Sequence, residues 1–218
     1  MHQAGHELGS HTYKHEKVYD QTPAQFREEV KRTRHAIENI TGKKIVTHRS
    51  PFFSITSKSL WALDVLAEEG FAIDCSISPI KTWRYGIATC PDTIFKIKEN
   101  NLIEFPVSRF KFLHKQLGIG GAYFRLFPYS FTGNSLRQRQ HDKLPNMFYI
   151  HPWEYDPLHP SVGLNWKSKI THYTNLSTTL ARTERMLNEF KFVTVSDYID
   201  QYAKQQPIIT IPVANLQD

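Results

Sequence analysis

The sequence predicts an α/β fold with a largely parallel sheet, and two observations favour this class. Strand-like and helix-like segments alternate over the first 74 residues, in the order strand, helix, strand, helix, strand. Four groups of polar side chains each follow a predicted strand, which is where active-site residues of parallel α/β folds gather. The length of 218 residues suits one large domain or two small ones.

The first helix has the clearest boundary signals. Thr22 is a predicted N-cap, Pro23 occupies the first helical position, and Gln25 completes a capping box. Gly42 supplies the stop. We expect four residues to keep one face apolar: Phe26, Val30, Ile37 and Ile40.

The remaining elements are predicted from shorter patterns. We expect further strands at residues 5–11, 44–48, 71–74, 102–107, 147–151 and 192–195. We expect a helix at 57–69, ended by Gly70 and turning Leu60, Leu63 and Leu66 inward, and a long helix at 171–190, turning Leu176, Leu180 and Leu187 inward. Ser196 is the predicted cap of a final short helix. Residues 75–101 and 156–170 read as irregular, a helix is suggested at 136–142, and residues 206–218 read as a tail.

Composition excludes several classes of function. The net charge of +6 favours acidic partners, but the absence of a dense Lys/Arg block or a nucleic-acid motif argues against nucleic acid. No apolar run reaches about 18 residues, so no membrane span is predicted. The N-terminus carries no signal peptide. For the two cysteines, Cys75 and Cys90, buried thiols are favoured over one disulfide.

The most informative segment is the run from Gly5 to His15, GHELGSHTYKH. His11 and His15 are four residues apart and follow a predicted strand. Imidazole is a preferred ligand of zinc, and one helical turn over residues 12–15 would point both rings to the same side. Spacing alone leaves a metal site and solvated surface histidines as alternatives, because the chain has 11 histidines.

Three further polar groups follow predicted strands. Arg49, before a Pro-stiffened turn, could hold a carboxylate with its fork of donors or could be a surface residue. Asp74 could act in a site or cap a turn. His151 could be a general acid, because the ordinary pKa of histidine lies near neutrality, or a buried core histidine.

The order of these groups closely resembles the polysaccharide deacetylase family, the NodB-homology group or carbohydrate esterase family 4. The matching stretches are GHELGSHTYKH, THRSPFFSIT, WALDVLAEEGFAIDCSISP and FYIHPWEYDP. The sequences of these stretches are most similar to the bacterial branch linked to exopolysaccharide gene clusters. The resemblance spans residues 5–194 and implies a domain over 1–205 with a distorted (β/α) barrel. It also implies metal-dependent removal of acetyl groups from sugars.

The resemblance implies a role for each polar group. His11 and His15 would bind the metal, usually zinc. His151 would protonate the leaving amine, and Asp74 would orient that histidine and raise its pKa. Arg49 would position the carboxylate that serves as the base.

Three other residues would contact the sugar. Pro51 and Phe52 would form part of the groove wall. Trp153 could stack on a sugar face, although a core position is an equal alternative. The implied partner is an acetylated polysaccharide or oligosaccharide, and the branch it resembles implies a cytoplasmic location.

The chain departs from the family in its first motif. The family has an aspartate pair that supplies the third metal ligand and the base, and no Asp-Asp pair occurs here. We therefore expect an N-terminally truncated chain that lacks the first strand, or else a carbohydrate-binding remnant without catalysis. Strand alternation places His6 on the opposite face, and Glu7 lies too deep, so we expect His11 and His15 to bind zinc only weakly.

Overall fold

The computed structural model describes residues 1–112, 114–160 and 163–217, and it confirms the α/β class. The chain divides into two units, which are described separately. The first comprises Met1–Val107 and Val193–Asp218, and the second comprises Ser108–Phe192. Within the described residues the strands form one five-stranded sheet and one hairpin rather than a closed barrel.

The sheet of the first unit brings the ends of three parallel strands to one edge. Its strands are β1 (Thr47–His48), β2 (Ile73–Asp74), β3 (Phe95–Ile97), β4 (Ile103–Glu104) and β7 (Ile209–Ile211), in the order β1-β2-β4-β3-β7. Strands β1, β2 and β4 run parallel, and Asp74 lies opposite Glu104 in the register. Strand β3 is antiparallel to β4 and parallel to β7. The last residues of β2 and β4 are therefore side by side.

Helices α1 (Pro23–Thr41) and α2 (Trp61–Glu68) pack against each other in the first unit, which also contains α7 (Val195–Gln205). The capping box predicted at Thr22 is confirmed, because the Thr22 side chain accepts from Gln25 N while the Gln25 side chain accepts from Thr22 N. Phe26 and Val30 are fully buried. Ile40 is 86% exposed, so its predicted place on the apolar face is wrong.

The second unit is built from a hairpin and four helices. These are β5 (Arg109–Phe112), β6 (Lys115–Gly118), α3 (Gly121–Leu126), α4 (Tyr129–His141), α5 (Trp166–Tyr173) and α6 (Thr179–Glu189). Phe124, Leu136 and Met186 form its buried apolar centre with Ile119 and Tyr129. The strand predicted at 147–151 is reduced to one bridge between Gly120 and Tyr149. Gly120 has φ +130°, and a Cβ there would lie 2.5 Å from the Tyr149 carbonyl oxygen, so the bridge requires glycine.

The long helix predicted at 171–190 is wrong, because α5 ends at Tyr173 and α6 starts at Thr179. The buried Arg125 guanidinium donates to the carbonyl oxygens of Thr171, His172 and Thr174, which occupies the end of α5. Asn175 then adopts φ +56°. Leu180 and Leu187 are each 57% exposed, against the prediction, and Leu176 is buried as expected.

Several short elements also differ from expectation. The segment 206–218, predicted as a tail, contributes β7 to the sheet and buries Leu216 completely. The region 75–101 contains β3. The strand expected at 192–195 is absent from these described residues, and Thr194 rather than Ser196 caps α7. The opening strand is reduced to one bridge, between Ser10 and His48.

Two smaller predictions can be compared directly with the structure. Cys75 and Cys90 are both buried thiols, as predicted. Among the described residues, no helix combines the length and the apolarity that crossing a bilayer would require.

Candidate functional site

A short loop holds His11 and His15 together beside the end of β1. Ser10 N donates to Thr47 O at 2.9 Å and Arg49 N donates to Ser10 O at 3.0 Å, so the chain entering the loop lies parallel to β1. The two rings have centroids 4.9 Å apart. No helical turn forms. Instead Thr12 (φ +57°) and His15 (φ +59°) both adopt the left-handed region, which folds the loop back on itself.

The His11 ring is oriented by a backbone carbonyl. Its Nδ1 lies 2.6 Å from Arg49 O. Because a carbonyl oxygen only accepts, Nδ1 carries the proton and Nε2 keeps the ring lone pair in the neutral ring. A hydrogen bond of this kind, from one ring nitrogen to a backbone carbonyl, is what orients metal-binding histidines in general.

Helix α1 anchors the same loop through a residue that sequence reasoning missed. The buried Glu29 accepts from Lys14 N at 2.6 Å, and its other oxygen lies 3.8 Å from Lys14 Nζ. Arg32 lies 3.6 Å from the centre of the Tyr13 ring. A glutamate next to Val30 on the buried face of a helix was the available signal, since buried carboxylates need a partner.

The histidine pair fits a metal only in part. Among the described residues, no group of three or more His, Cys, Asp or Glu side chains is arranged to hold an ion. Glu7 is committed elsewhere, because its oxygens accept from Thr47 Oγ1, Ser196 N and Ser196 Oγ. Since zinc sites use at least three protein ligands, the described residues supply an incomplete set.

Asp74 and Glu104 form a buried carboxyl pair at the ends of β2 and β4. Both side chains are fully buried, and Asp74 Oδ2 and Glu104 Oε2 have no hydrogen-bond partner among the described residues. Asp74 Oδ1 also accepts from Ser76 Oγ, and Glu104 Oε1 accepts from Ile77 N at 2.9 Å. Burial raises the pKa of Asp74 to about 6, and burial together with the Asp74 charge raises the pKa of Glu104 well above its ordinary value. Two neighbouring buried carboxyl groups with raised pKa values therefore meet at this edge of the sheet, and the sequence alone did not indicate Glu104.

Arg49 links the ends of β1 and β2. Its Nε donates to Cys75 O at 3.1 Å, and its positive charge lowers the pKa of Glu104 against the larger effect of burial. Ser50 N donates to Ser76 Oγ at 2.7 Å, and Ser76 in turn donates to Asp74. The structure thus brings Arg49 next to the carboxyl pair, and next to His11 through its own carbonyl group.

His48, which sequence analysis did not single out, is fully buried behind this edge. Its ring lies 5.8 Å from Phe26 and 5.4 Å from Phe71, and Nε2 lies 3.1 Å from Ser50 Oγ. Burial, with the nearby His11 and Arg49, lowers the pKa of His48 to about 3. His48 is consequently a neutral structural residue.

Phe52 extends the site toward solvent. Its backbone has φ +58° and its ring centre lies 5.0 Å from that of His15. Phe52 is 45% exposed, whereas Pro51 is buried below it. A phenylalanine in the left-handed region costs conformational energy, on the order of 1–3 kcal/mol, and such strain is concentrated at binding and catalytic sites.

The second unit contains a separate, strongly bonded group around His151. Its Nδ1 donates to Glu154 Oε1 at 2.7 Å, and its backbone N donates to the same oxygen at 3.0 Å. The other oxygen of Glu154 accepts from Arg125 Nε at 2.6 Å. Glu154 and Arg125 are 0% and 1% exposed at their side chains, while His151 is 47% exposed. Glu154 therefore holds the histidine ring by one nitrogen and leaves its other edge toward solvent.

Hydrogen bonding decides the ionisation of Glu154. Burial by itself would raise the pKa of Glu154, but the hydrogen bonds from His151 and Arg125 outweigh it, and the net pKa is lowered. Glu154 is thus a carboxylate at neutral pH. Sequence analysis quoted it within His-Pro-Trp-Glu but gave it no role.

Trp153 is only partly buried. It stacks on His172 with ring centres 4.0 Å apart, and the Arg125 guanidinium lies 5.4 Å from its centre. These contacts give the indole a packing role, and sugar stacking by Trp153 stays a prediction.

Comparison with family models assigns nearly the whole chain. Residues 1–70 match the model described as polysaccharide deacetylase. Residues 75–200, more than half of the chain, match the model described as domain of unknown function DUF3473. A search of curated proteins finds no match.

Solved structures support the fold. A chain assigned as a polysaccharide deacetylase from Mycobacterium smegmatis is 18% identical, with a TM-score of 0.58 and 97% of this chain covered. One assigned likewise from Pseudomonas aeruginosa PAO1 is 17% identical, with a TM-score of 0.55 and 95% covered. PuuE allantoinase is 18% identical, with a TM-score of 0.54 and 95% covered.

This chain spans 66%, 63% and 62% of the lengths of those three chains, respectively, which is less than two thirds of each. At such identities the likeness concerns the fold. The assignment of family rests on the two family models, which together account for most of the sequence. The chain belongs to the DUF3473 family, and its first 70 residues match the polysaccharide deacetylase model.

Proposed function

We propose that this protein takes part in metal-dependent hydrolysis of acetyl groups from N-acetylated sugars of a bacterial polysaccharide, in exopolysaccharide synthesis. The observation that carries the proposal is the His11–His15 pair, with His11 oriented by the Arg49 carbonyl, in a chain whose first 70 residues match polysaccharide deacetylase. Zinc is the proposed ion, because imidazole suits it. A bound ion would polarise the acetyl carbonyl and lower the pKa of its water.

No step of the mechanism is assigned to the metal here, since the described residues supply two ligands of the set. The family resemblance offers Arg49 as the residue that positions a base. The buried carboxyl groups of Asp74 and Glu104 lie near the Arg49 guanidinium in the first unit. Asp74, whose pKa is raised to about 6, could hold or release a proton near neutral pH.

His151 is the proposed general acid. Hydrolysis of an amide must protonate the departing nitrogen, because an amide anion is a very poor leaving group. In the charged ring, Nδ1–H donates to Glu154, so Nε2–H is the proton available for transfer. The Glu154 carboxylate holds the ring through Nδ1 and leaves Nε2 unengaged by this contact. Glu154, fixed by Arg125, is therefore the proposed positioning residue of the general acid.

The test is acetate release from acetylated amino-sugar oligomers, with and without added zinc. The chain and a version extended upstream should be compared, each with matched His11→Ala and His151→Gln variants. The proposal expects zinc-dependent release from an active version, lost in both variants. If an extended protein that carries the aspartate pair releases no acetate from any acetylated glycan, the proposal fails.

A carbohydrate-binding protein without catalysis is the second candidate. It is favoured by the incomplete ligand set in the part of the chain that the structure describes, together with the exposed Phe52. Binding of acetylated oligomers without acetate release, with or without zinc, would select this candidate. Reading the nucleotides upstream of Met1 for an in-frame strand ending in Asp-Asp provides an independent test.

We propose a cytoplasmic location on the basis of the resemblance to the exopolysaccharide-linked branch. Cell fractionation with detection of the native protein tests it, and recovery from the periplasm would refute it.

A further inference from the structure

A cavity of about 640 Å³ lies beside the histidine loop in the first unit. Phe52 connects the two places, because its ring contacts His15 on one side and lines the cavity on the other. The cavity is thus an extension of the candidate site. The resemblance placed Phe52 in a groove wall and gave no role to the other residues that line the cavity.

The lining of the cavity is cationic. It includes Lys17, Lys58, Lys81 and Arg84, and no Asp or Glu among the described residues lines it. Lys17 Nζ lies 3.4 Å from Asp20, which offsets its charge. Lys58 and Arg84 add positive charge to the lining that attracts anions, consistent with the net charge of +6 of the chain.

The lining is also aromatic. Tyr19, Phe52, Trp83 and Tyr85 contribute to it, and Trp83 is 90% exposed. The Arg84 guanidinium lies 5.2 Å from the centre of the Trp83 ring. Aromatic rings offer a flat apolar face with little entropy to lose on binding. A pyranose ring presents apolar C–H faces that match such a surface.

The loop that carries Trp83 and Arg84 is built to a fixed shape. Thr82 Oγ1 accepts from the backbone N of Arg84 and of Tyr85, at 3.2 and 3.0 Å, and Thr82 N donates to Tyr85 O at 2.8 Å. Gly86 has φ +95°, and a Cβ there would lie 1.9 Å from Ile80 O. Only glycine allows this approach. The loop is therefore preorganised, which reduces the entropic cost of binding.

We propose that this cavity binds an acidic segment of the glycan, in which sugar carboxylates pair with Lys58 and Arg84 and a sugar ring stacks on Trp83. This deepens the proposed function and rests on it for the choice of a glycan over another polyanion. The substrate class is then a carboxylate-bearing polysaccharide that also carries acetyl groups.

Calorimetry on the full chain tests the proposal with three defined probes. These are a hexasaccharide of alternating glucuronate and N-acetylglucosamine, a neutral hexamer of N-acetylglucosamine, and hexathymidylate. Both sugars carry acetyl groups, so the difference that matters between them is the carboxylate charge of glucuronate. We expect the acidic sugar to bind about tenfold more tightly than the neutral one, with an advantage that shrinks as salt is raised.

Variants locate the effect. The double variant Lys58→Glu, Arg84→Glu should remove the preference for the acidic sugar. The control double variant Lys98→Glu, Lys204→Glu makes the same change of charge at exposed positions of the same unit outside the cavity. It should change the affinity less than about twofold. Trp83→Ala should weaken both sugars roughly fivefold. Loss of the preference in the Lys98/Lys204 control would overturn the proposal, because the net charge of the chain would then account for the preference without the cavity.

Other outcomes also decide the question. Equal affinity for the two sugars, or hexathymidylate binding as tightly as the acidic sugar, would overturn the proposal. Acetate release is measured separately on both sugars with the upstream-extended protein that carries the aspartate pair. Acidic-sugar binding without release by that protein would contradict the proposed function and leave this inference standing, and release without any preference would do the reverse.

Discussion

Replacing Arg125 with Met should destabilise the second unit strongly. Arg125 is 1% exposed, and its Nε donates to the fully buried Glu154 carboxylate at 2.6 Å. Its terminal nitrogens donate to the carbonyl oxygens of Thr171, His172 and Thr174 at 2.8, 3.2 and 2.6 Å. Methionine has a similar length but none of these donors.

The magnitude follows from what remains buried after the change. Glu154 would keep its charge and its bonds to His151 but lose its only fully buried cationic partner among the described contacts. Removing one member of a buried ion pair costs about 3–5 kcal/mol. The three carbonyl groups lie at the end of α5, where water can replace part of the lost bonds, so they add little. We expect a total loss of about 3–5 kcal/mol.

Hydrogen exchange of the amides of α3 and α6 measures the free energy of opening of this unit without assuming that both units unfold together. Arg185→Met is the matched control, since Arg185 pairs with Glu189 at an exposed position and should have a much smaller effect. Glu154→Gln combined with Arg125→Met completes a double-mutant cycle, and a coupling of roughly 1–3 kcal/mol is expected. An Arg125→Met loss below about 1 kcal/mol, or strictly additive single effects, would refute the reasoning.

Three other predictions concern Asp74, Glu154 and the histidine pair. Burial raises the pKa of Asp74 to about 6, above the unfolded value of about 3.9, so the folded state binds the proton more tightly. The free energy of unfolding of the first unit should therefore fall as pH rises from about 4 to 6. Asp74→Asn should flatten this slope in pH-dependent unfolding. The pKa of Glu154 is lowered, so its contribution to the stability of the second unit is present above the unfolded pKa of about 4.3 and is lost as pH falls through the folded pKa. Glu154→Gln should remove that loss of stability in acid, as followed by hydrogen exchange of the second unit. Zinc should bind the chain with a Kd above about 1 μM by calorimetry, and His11→Ala should abolish the binding.

Each of these has a result that contradicts it. An unchanged slope between pH 4 and 6 in Asp74→Asn would mean that folding does not raise the pKa of Asp74. If the stability of the second unit still falls in acid in Glu154→Gln, another titratable group is responsible for that fall. Submicromolar zinc binding that disappears in His11→Ala would reveal a third ligand, and an unaltered affinity in that variant would place the ion elsewhere.

The sequence alone determined the features that local rules control. The α1 boundaries followed from the Thr22–Pro23–Gln25 signals, because a capping box is made by neighbours in the chain. Leu60, Leu63 and Leu66 are buried as their spacing predicted. The order of the polar motifs indicated the family before any coordinates, and the family models agree with it.

Tertiary structure decided the features that depend on partners distant in sequence. The end of α5 is set by Arg125, which is 46 to 49 positions away, so the helical pattern through residues 171–190 could not reveal the break. Glu104 faces Asp74 only because β4 lies next to β2. His11 takes its orientation from Arg49 across 38 positions. Periodicity and capping reach a few residues along the chain, whereas burial and hydrogen bonding between strands and helices fix which side chains meet, and those meetings set the protonation states on which the chemistry depends.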